Sequence, residues 1–366
     1  AKLEPLVQTL DNSMKKTVLD LAAIAASSAA FAQSSVTLYG VVDASVESVK
    51  GDKTVTRVSS DNLASSRIAF KGVEDLGGGL KATFLLDASL KTDTGAADSS
   101  RFFGRSAYVG LTGGFGEVRL GRQDSLIGGQ TTDAIGTQGY DEAVIAQTLG
   151  GVAYRRIDNA VTYFAPAFVP GLTLAAQYST AVGVNATNAE NAYGNNADRA
   201  YGFLANYANG PISGGLSYIT VNTDAKGDIE NTGWFVYGAY DFGAAKLTAY
   251  FNQDDQDGAK DDRRTYGLRV AVPVAQAVTV SAGYARVEGA NASSTTFNAK
   301  GTKDDTASIL TLKAQYDLSK RTALYALYSQ VYNDNNTALK VGGTNGITTS
   351  LDKSSRGLAV GVRHSF

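Results

Sequence analysis

The sequence predicts an all-β protein, a 16-stranded antiparallel β-barrel that spans a membrane. About sixteen stretches of the chain, most of them roughly eight to twelve residues long, alternate apolar with polar or small side chains. The connections between these stretches are alternately short and long. Because successive side chains of a strand point to opposite faces, this alternation places one face against an apolar medium and the other against water. A soluble sandwich would explain one such face, but not the regular rhythm of the connections.

Residues 308–318 show the alternation directly. One face carries Leu310, Leu312, Ala314, Tyr316 and Leu318, and the other carries Thr311, Lys313 and Gln315. A polar inner face on this many strands cannot be a packed core, since each buried polar group without a partner costs a few kcal/mol. A water-filled lumen removes that cost.

The pattern also gives the order and the orientation of the strands. They are predicted over residues 35–49, 67–74, 80–90, 105–112, 116–123, 159–164, 172–178, 199–207, 212–222, 231–240, 245–254, 263–272, 277–288, 307–317, 322–332 and 357–366. Connections after even-numbered strands are short, such as Asp75 to Gly79, whereas those after odd-numbered strands are mostly long and polar, such as Lys50 to Ser66. Outer-membrane barrels have short periplasmic turns and long extracellular loops, so we expect both termini on the periplasmic side.

Composition limits the possible functions. The 366 residues include 40 Gly and 19 Tyr with no linker or shift in composition, which favours one domain. The net charge of −2, from 33 basic and 35 acidic residues, gives no sign of a nucleic-acid partner. There is no cysteine, so disulfides and thiolate metal sites are excluded. The mean hydropathy is −0.12 and the only continuous apolar run lies near the N-terminus, so no helical membrane span is expected and a barrel remains.

Residues 14–32 are predicted to be an export signal. Lys15 and Lys16 follow Met14, residues 18–26 are mostly apolar, and Ala30-Phe31-Ala32 forms a small-x-small cleavage site. Asp20 departs from this pattern because it places a charge in the apolar stretch. An amphipathic helix of the mature fold is the alternative. Residues 1–13 are interpreted as an extraneous extension and residues 33–366 as the barrel.

Three features could indicate other chemistry. Gly77 to Gly79 lacks the Lys-Ser/Thr and the helix of a phosphate loop, so a tight turn is expected. The aspartates around Gly258 do not have the spacing of a calcium loop, which favours a solvated loop, although weak divalent-ion binding near lipopolysaccharide phosphates stays open. The only histidine, His364, lies on the predicted lipid face, so a Ser-His site is nearly excluded. We therefore expect no enzyme activity, no metal and no cofactor.

Three stretches carry a resemblance to a known family: SSVTLYGVVD (34–43), SSRIAFKGVEDLGGGLKATFLLD (65–87) and FFGRSAYVGLTGGFGEVRLGRQ (102–123). They resemble the general diffusion porins of Gram-negative bacteria, most of all the beta-proteobacterial type, and the likeness extends over essentially the whole chain after the signal. The resemblance implies a homotrimer of 16-stranded barrels in the outer membrane. Small ions and hydrophilic solutes would diffuse passively through each pore, which an inward-folded third loop would narrow.

The resemblance also implies a constriction with two charged sides. The third loop corresponds to residues 124–158, and its acidic candidates are Asp124, Asp133, Asp141 and Glu142. Each of them could instead be a solvated loop carboxylate. Matching to the family places the basic side at Arg67, Arg105 and Arg156. Alternation independently turns Arg67 and Lys71 inward, and it does the same for Arg119.

Arg105 conflicts with strict alternation. If Val109 and Leu111 face lipid, Arg105 would face lipid as well, at a cost of about 2–4 kcal/mol at mid-depth. A bulge, a rim position or the opposite face would resolve the conflict. A surplus of fixed cations in a narrow aqueous gap would favour anions, which makes anion preference a hypothesis.

The last strand resembles the terminal strand of outer-membrane proteins. Leu358, Val360, Val362 and His364 share one face with Phe366. The resemblance implies that this closing aromatic is read by the barrel-assembly machinery. A substrate-specific sugar channel and a surface adhesin remain alternatives for the barrel as a whole.

Overall fold

A computed structural model describes residues 34–97, 101–135, 140–141, 155–180, 199–222, 230–256, 262–289, 304–342 and 346–366. Over these residues the chain forms 17 strands in one sheet and one α-helix, α1 (Leu126–Ile135). The predicted extension and export signal, residues 1–32, lie outside the described residues. No helix within the described ranges is long and apolar enough to cross a membrane.

All sixteen predicted strands are present, and their ends agree to within three residues. The strands are β1 (Ser35–Lys50), β2 (Thr54–Ser60), β3 (Arg67–Gly77), β4 (Leu80–Ser89), β5 (Ser106–Gly113), β6 (Gly116–Asp124), β7 (Arg156–Phe164), β8 (Leu172–Ser179), β9 (Ala200–Asn209), β10 (Ile212–Asn222), β11 (Glu230–Asp241), β12 (Lys246–Gln256), β13 (Arg263–Ala275), β14 (Val278–Glu288), β15 (Thr306–Asp317), β16 (Thr322–Asp334) and β17 (Ser355–Ser365).

The sheet closes on itself. Each strand pairs antiparallel with its neighbour, and β17 pairs with β1 in a register that runs from Val41↔Ser365 to Lys50↔Arg356. β3 pairs with the first half of β1 and β2 with the second half, so β2 and β3 together occupy one position of the barrel. The result is the predicted closed barrel of 16 strand positions.

β2 was not predicted, because residues 50–66 were expected to form one long loop. In the structure β1 turns at residues 51–53 and returns as β2. Residues 61–66 then fold back against β1, where the amides of Asn62 and Ala64 donate to the Asp43 carboxylate at 3.2 and 3.0 Å. β2 has seven residues and lies next to this polar segment, so its alternation is too short to stand out.

The two faces of the barrel differ as the alternation predicted. Val46, Val58 and Val360 are adjacent on the outer face, and each is 58% exposed. The inner face buries polar side chains instead, for example Asp43, Glu47 and Asn252. An apolar exterior around a polar interior is the arrangement of a barrel in lipid.

The short turns also follow the prediction. β3 and β4 are joined at Gly77 to Gly79, whose φ angles of 86°, 61° and 82° are positive. Such angles suit glycine because it has no Cβ. Residues 77–79 are therefore a tight turn and not a phosphate loop.

Candidate functional site

The loop after β6 enters the lumen as helix α1, which is fixed at its first residue. The Ser125 hydroxyl accepts a hydrogen bond from the amide of Gly128 at 3.0 Å, as an N-cap residue does. Gln177 of β8 accepts from the amide of Leu126 and donates to the carbonyl of Asp124, both at 3.2 Å. The start of the helix is thus bound to the inner wall.

One face of α1 packs on the wall of β8 to β11. Ile127, Thr131 and Ile135 lie four residues apart on this face and are buried. Wall glycines leave room for the close approach. A Cβ at Gly215 would lie 2.2 Å from Nε2 of Gln130, and a Cβ at Gly233 would lie 3.5 Å from Cδ1 of Ile127. The helix therefore lies against the wall, inside the barrel.

Beyond α1 the loop reaches the opposite wall at Tyr140. The Tyr140 hydroxyl donates to Glu47 of β1 at 2.7 Å, and its carbonyl accepts from the hydroxyl of Ser329 on β16. Its ring lies over Gly357 of β17, where a Cβ would come within 2.7 Å of the phenol oxygen. The loop is therefore attached to β1, β16 and β17 as well as to β8. This confirms that the third loop folds inward.

Three of the predicted basic residues lie together on the inner wall, and we call Arg67, Arg105 and Arg156 the arginine group. Arg105 lies within electrostatic range of both others. Its Nε is 3.1 Å from Oδ2 of Asp87, and Nε of Arg156 is 3.1 Å from Oδ1 of Asp124. The group thus combines three cations with two carboxylates.

The structure resolves the conflict at Arg105. Val109 and Leu111 do face outward, with 56% and 45% of their surface exposed. β5 begins at Ser106, however, so Arg105 precedes the strand and its alternation does not apply. The Arg105 amide donates to the carbonyl of Asp87 at 3.1 Å, and its Nε donates to the inner carboxylate of the same residue at 3.1 Å.

The other two basic candidates also lie on the inner face. Lys71 has its Nζ 5.3 Å from the centre of the Tyr39 ring. Arg119 lies between the rings of Tyr108 and Phe164, at 5.0 and 4.5 Å from their centres. Its Nε and Nη2 donate to the Glu117 carboxylate at 2.8 and 2.9 Å. The charge of Arg119 is therefore balanced by Glu117.

The acidic candidates are spread over the lumen. Asp124 is the ion-pair partner of Arg156, whereas Asp141 lies 3.8 Å from Nη1 of Arg269 on β13. Asp133 lies on α1, where burial and the charge of Asp124 raise the pKa of its carboxyl while Arg155 lowers it. Glu142 lies outside the described residues. Asp124 thus contacts the arginine group directly.

Several residues of this site were not singled out from the sequence. Asp87 and Arg269 both lie on inner positions of their strands, so alternation could have indicated them. Tyr140 gave no local signal, because its partners Glu47 and Ser329 are 93 and 189 residues away in the chain.

The alternative sites are not assembled in the described ranges. No group of three or more potential ligands that could hold a metal ion occurs among these residues. Asp254 faces inward beside Arg263, whereas Asp262 is 3.4 Å from Arg264. His364 lies on the outer face, with Nδ1 at 2.9 Å from the Thr322 hydroxyl.

Comparison with known proteins decides the family. The profile described as Gram-negative porin matches residues 21–336. The chain belongs to this family. It is 31% identical to outer membrane porin protein 32 of Delftia acidovorans and 29% identical to an outer membrane porin protein of Bordetella pertussis, and each alignment covers 96% of this chain and 100% of the relative.

Solved structures agree with this assignment. An anion-selective porin from Comamonas acidovorans has a TM-score of 0.76 at 26% identity, covering 91% of this chain and 100% of that one. OmpT of Vibrio cholerae, solved in a trimer form, has a TM-score of 0.62 at 17% identity, covering 91% of this chain and 99% of that one. The second likeness shows the fold alone. The porin is thus an outer-membrane protein that forms a channel for passive diffusion.

Proposed function

We propose that this channel conducts small anions in preference to cations, and that the arginine group is the basic side of its constriction. The observation that carries the proposal is the charge balance of this group. Asp87 pairs with Arg105 and Asp124 pairs with Arg156, whereas Arg67 makes no ion pair with the residues that the structure describes. A fixed surplus of cations beside a narrow aqueous path lowers the barrier for anions.

Two further observations support the proposal. Lys71, which lies on the inner face of the same strand as Arg67, adds a second cation without a carboxylate partner in the described part of the chain. The porin from Comamonas acidovorans, whose fold this chain shares, is described as anion-selective. In this proposal the acidic side consists of the predicted loop carboxylates Asp124, Asp133, Asp141 and Glu142. Arg119 contributes little because Glu117 balances its charge.

The test is the reversal potential of single channels in planar bilayers under a KCl gradient. The native channel is expected to show the sign that corresponds to chloride preference. Arg67→Gln should move the potential toward zero because it removes the unpaired cation. Arg264→Gln is the control, since this arginine lies on the outer face of β13 and its substitution changes the net charge equally. Cation preference of the native channel would overturn the proposal.

We further propose that the protein is a homotrimer, as one porin of the same fold is in its solved trimer form. Mass measurement of the detergent-solubilised protein by light scattering tests the trimer, and a monomer that conducts normally would contradict it.

We propose no catalytic step and no cofactor, since diffusion through a channel needs neither. The predicted signal, residues 14–32, remains part of the proposal, and mass spectrometry of the membrane form would reveal cleavage after Ala32.

Assembly is proposed to use the last residue. The Phe366 amide donates to the carbonyl of Gly40 at 3.1 Å, and the amide of Gly40 donates back at 3.0 Å. The Phe366 ring lies over Gly40, where a Cβ would come within 2.4 Å of Cζ. This position on β1 supports a role for the aromatic ring both in closing the barrel and as the signal for the barrel-assembly machinery. Phe366→Ala should lower the yield of heat-resistant protein in the membrane.

Contact with lipopolysaccharide is proposed for the outer face near the long connections. Arg264 and Arg286 lie there at the ends of β13 and β14, and the side chains of both are partly exposed. Their guanidinium groups could hold phosphate. Co-purified lipopolysaccharide should fall when both are changed to Gln, and an unchanged amount would contradict this contact.

A further inference from the structure

The connection between β16 and β17 also folds into the lumen, at the end of the barrel that carries the long connections. The inner faces of β14, β15 and β16 end there in Val287, Ile309 and Val331, which are fully buried although they face the lumen. In an open mouth these side chains would contact water. Residues 337–342, which we call the mouth segment, lie against this face and share its apolar cluster.

The mouth segment crosses three strands on their lumen side. The Thr337 hydroxyl donates to the first carbonyl of β15 at 2.9 Å. Asn333 of β16 binds Leu339 twice, since its Oδ1 accepts from the amide at 2.8 Å and its Nδ2 donates to the carbonyl at 2.7 Å. The amide of Val341 donates to the Ser355 hydroxyl of β17 at 3.1 Å. Every second residue of the segment is thus bonded to the next strand along the wall.

Burial along the mouth segment follows the same alternation. Thr337 and Val341 are fully buried and Leu339 is 3% exposed. Ala338 and Lys340, which lie between them, are partly exposed. The buried side chains pack on the wall, so Lys340 lies on the other side of the segment, toward the water in the mouth.

Lys340 has no carboxylate partner within the described part of the chain. Two carboxylates, one of the same connection and one of the turn between β1 and β2, are hydrogen-bonded elsewhere. Asp352 accepts from the amide of Asn336 at 2.7 Å. Asp52 accepts from the amide and the hydroxyl of Ser350, both at 2.8 Å. The ammonium group of Lys340 is therefore a fixed cation at the mouth.

We infer that Lys340 is a further selectivity-determining residue of the channel. The mouth segment holds its ammonium group at the entrance, where a fixed positive charge raises the local concentration of anions before they reach the arginine group. The inference rests on the proposed preference for anions and adds a second position, at the entrance, at which they are selected.

The test uses the absence of cysteine from the chain, because Lys340→Cys then provides the only thiol. Two methanethiosulfonate reagents of similar size attach either a trimethylammonium or a sulfonate group to it. In planar bilayers at low salt, the positive adduct should restore the native chloride current. The negative adduct should lower that current roughly 1.5- to 2-fold at about 0.1 M KCl, as expected for a reversed charge about 10 Å from the path. This difference should disappear at about 1 M KCl, where the screening length is about 3 Å.

Matched variants keep the result interpretable. Leu339→Cys places the thiol against the wall, so it should react much more slowly than Lys340→Cys. Lys320→Cys, in the exposed turn between β15 and β16, should react without a charge-dependent change in current. Restoration of the native current by the positive adduct is a result that misfolding cannot produce.

Equal currents for the two adducts, or a thiol at position 340 that reacts no faster than one at position 339, would overturn the inference. Cation preference of the native channel would overturn the proposed function and would leave the difference between the adducts in place. The two failures are therefore distinguishable.

Discussion

Charged residues on two parts of the inner wall have different surroundings. On β1, Asp43 accepts from the amides of Asn62 and Ala64 and from the Tyr325 hydroxyl, and Glu47 accepts from Arg57, Asn62 and Tyr140. Both carboxylates are almost completely buried.

The arginine group, in contrast, holds more cations than the carboxylates that pair with it. The comparison indicates that charged groups whose hydrogen-bonding positions are filled by protein partners stabilise the barrel and anchor its third loop. Charged groups without such partners, like the surplus cation of the arginine group, remain available to ions in the lumen.

The largest effect is expected when the third loop loses the attachment of Tyr140 to β1 and β17. Gly357→Ala would put a Cβ within 2.7–2.9 Å of the Tyr140 phenol oxygen and ring, so the ring must move and its bond to Glu47 is strained. We expect a loss of about 1–3 kcal/mol in unfolding free energy and larger current fluctuations in single channels.

Gly238→Ala is the matched control for this change, because a Cβ there meets nothing within 4 Å. It should leave the current steady. The same fluctuations in both variants would show that the ring of Tyr140 does not hold the loop.

A comparable loss of stability but a smaller effect on the current is expected from Tyr140→Phe, which keeps the ring over Gly357 and removes only the bond to Glu47. The unfolding free energy should fall by about 1.5–3 kcal/mol at neutral pH, as for a hydrogen bond to a charged group. Burial, followed by Glu47, raises the pKa of the Tyr140 phenol. The stabilisation is therefore complete below the unfolded pKa of about 10 and declines as the pH rises above it toward the folded value.

Chemical unfolding at several pH values checks this expectation. The stability difference between native protein and Tyr140→Phe should shrink above about pH 10. A constant difference up to strongly alkaline pH would mean that the phenol is not the group responsible.

The smallest effect is expected at the turn between β1 and β2. The carboxylate of Asp52 accepts from the amide and the hydroxyl of Ser350, both at 2.8 Å, and these bonds lower its pKa. Their contribution is present above the unfolded pKa of about 4 and is lost as the pH falls through the lowered folded value. Asp52→Asn should lower the melting temperature slightly at pH 7 and not at strongly acidic pH. A difference that persists in acid would assign the effect to another group.

The sequence predicted the strands well and the site less well, for one physical reason. Alternation is a local property, so it revealed the sixteen predicted strands and the inward direction of Arg67, Lys71 and Arg119. Contacts between distant segments leave no such pattern. The pairing of Asp124 with Arg156 depends on the register of β6 and β7, which shifts between Gly121 and Gln123.

The contact of Tyr140 with Gly357 likewise depends on the path of the loop across the lumen. No segment of the sequence contains both ends of that path. The inward fold of the loop came from the family resemblance, whereas its anchoring residues came only from the structure.

The most direct test compares Arg105→Gln with Glu47→Gln in one KCl gradient. Each variant removes one charge from the inner wall. If the arginine group sets the selectivity, Arg105→Gln moves the reversal potential toward cation preference, because it reduces the surplus of cations in that group. Glu47→Gln should lower stability and leave the reversal potential unchanged, because that charge is saturated by its three partners. Equal and opposite shifts of the reversal potential in the two variants would contradict the claim that the arginine group sets the selectivity.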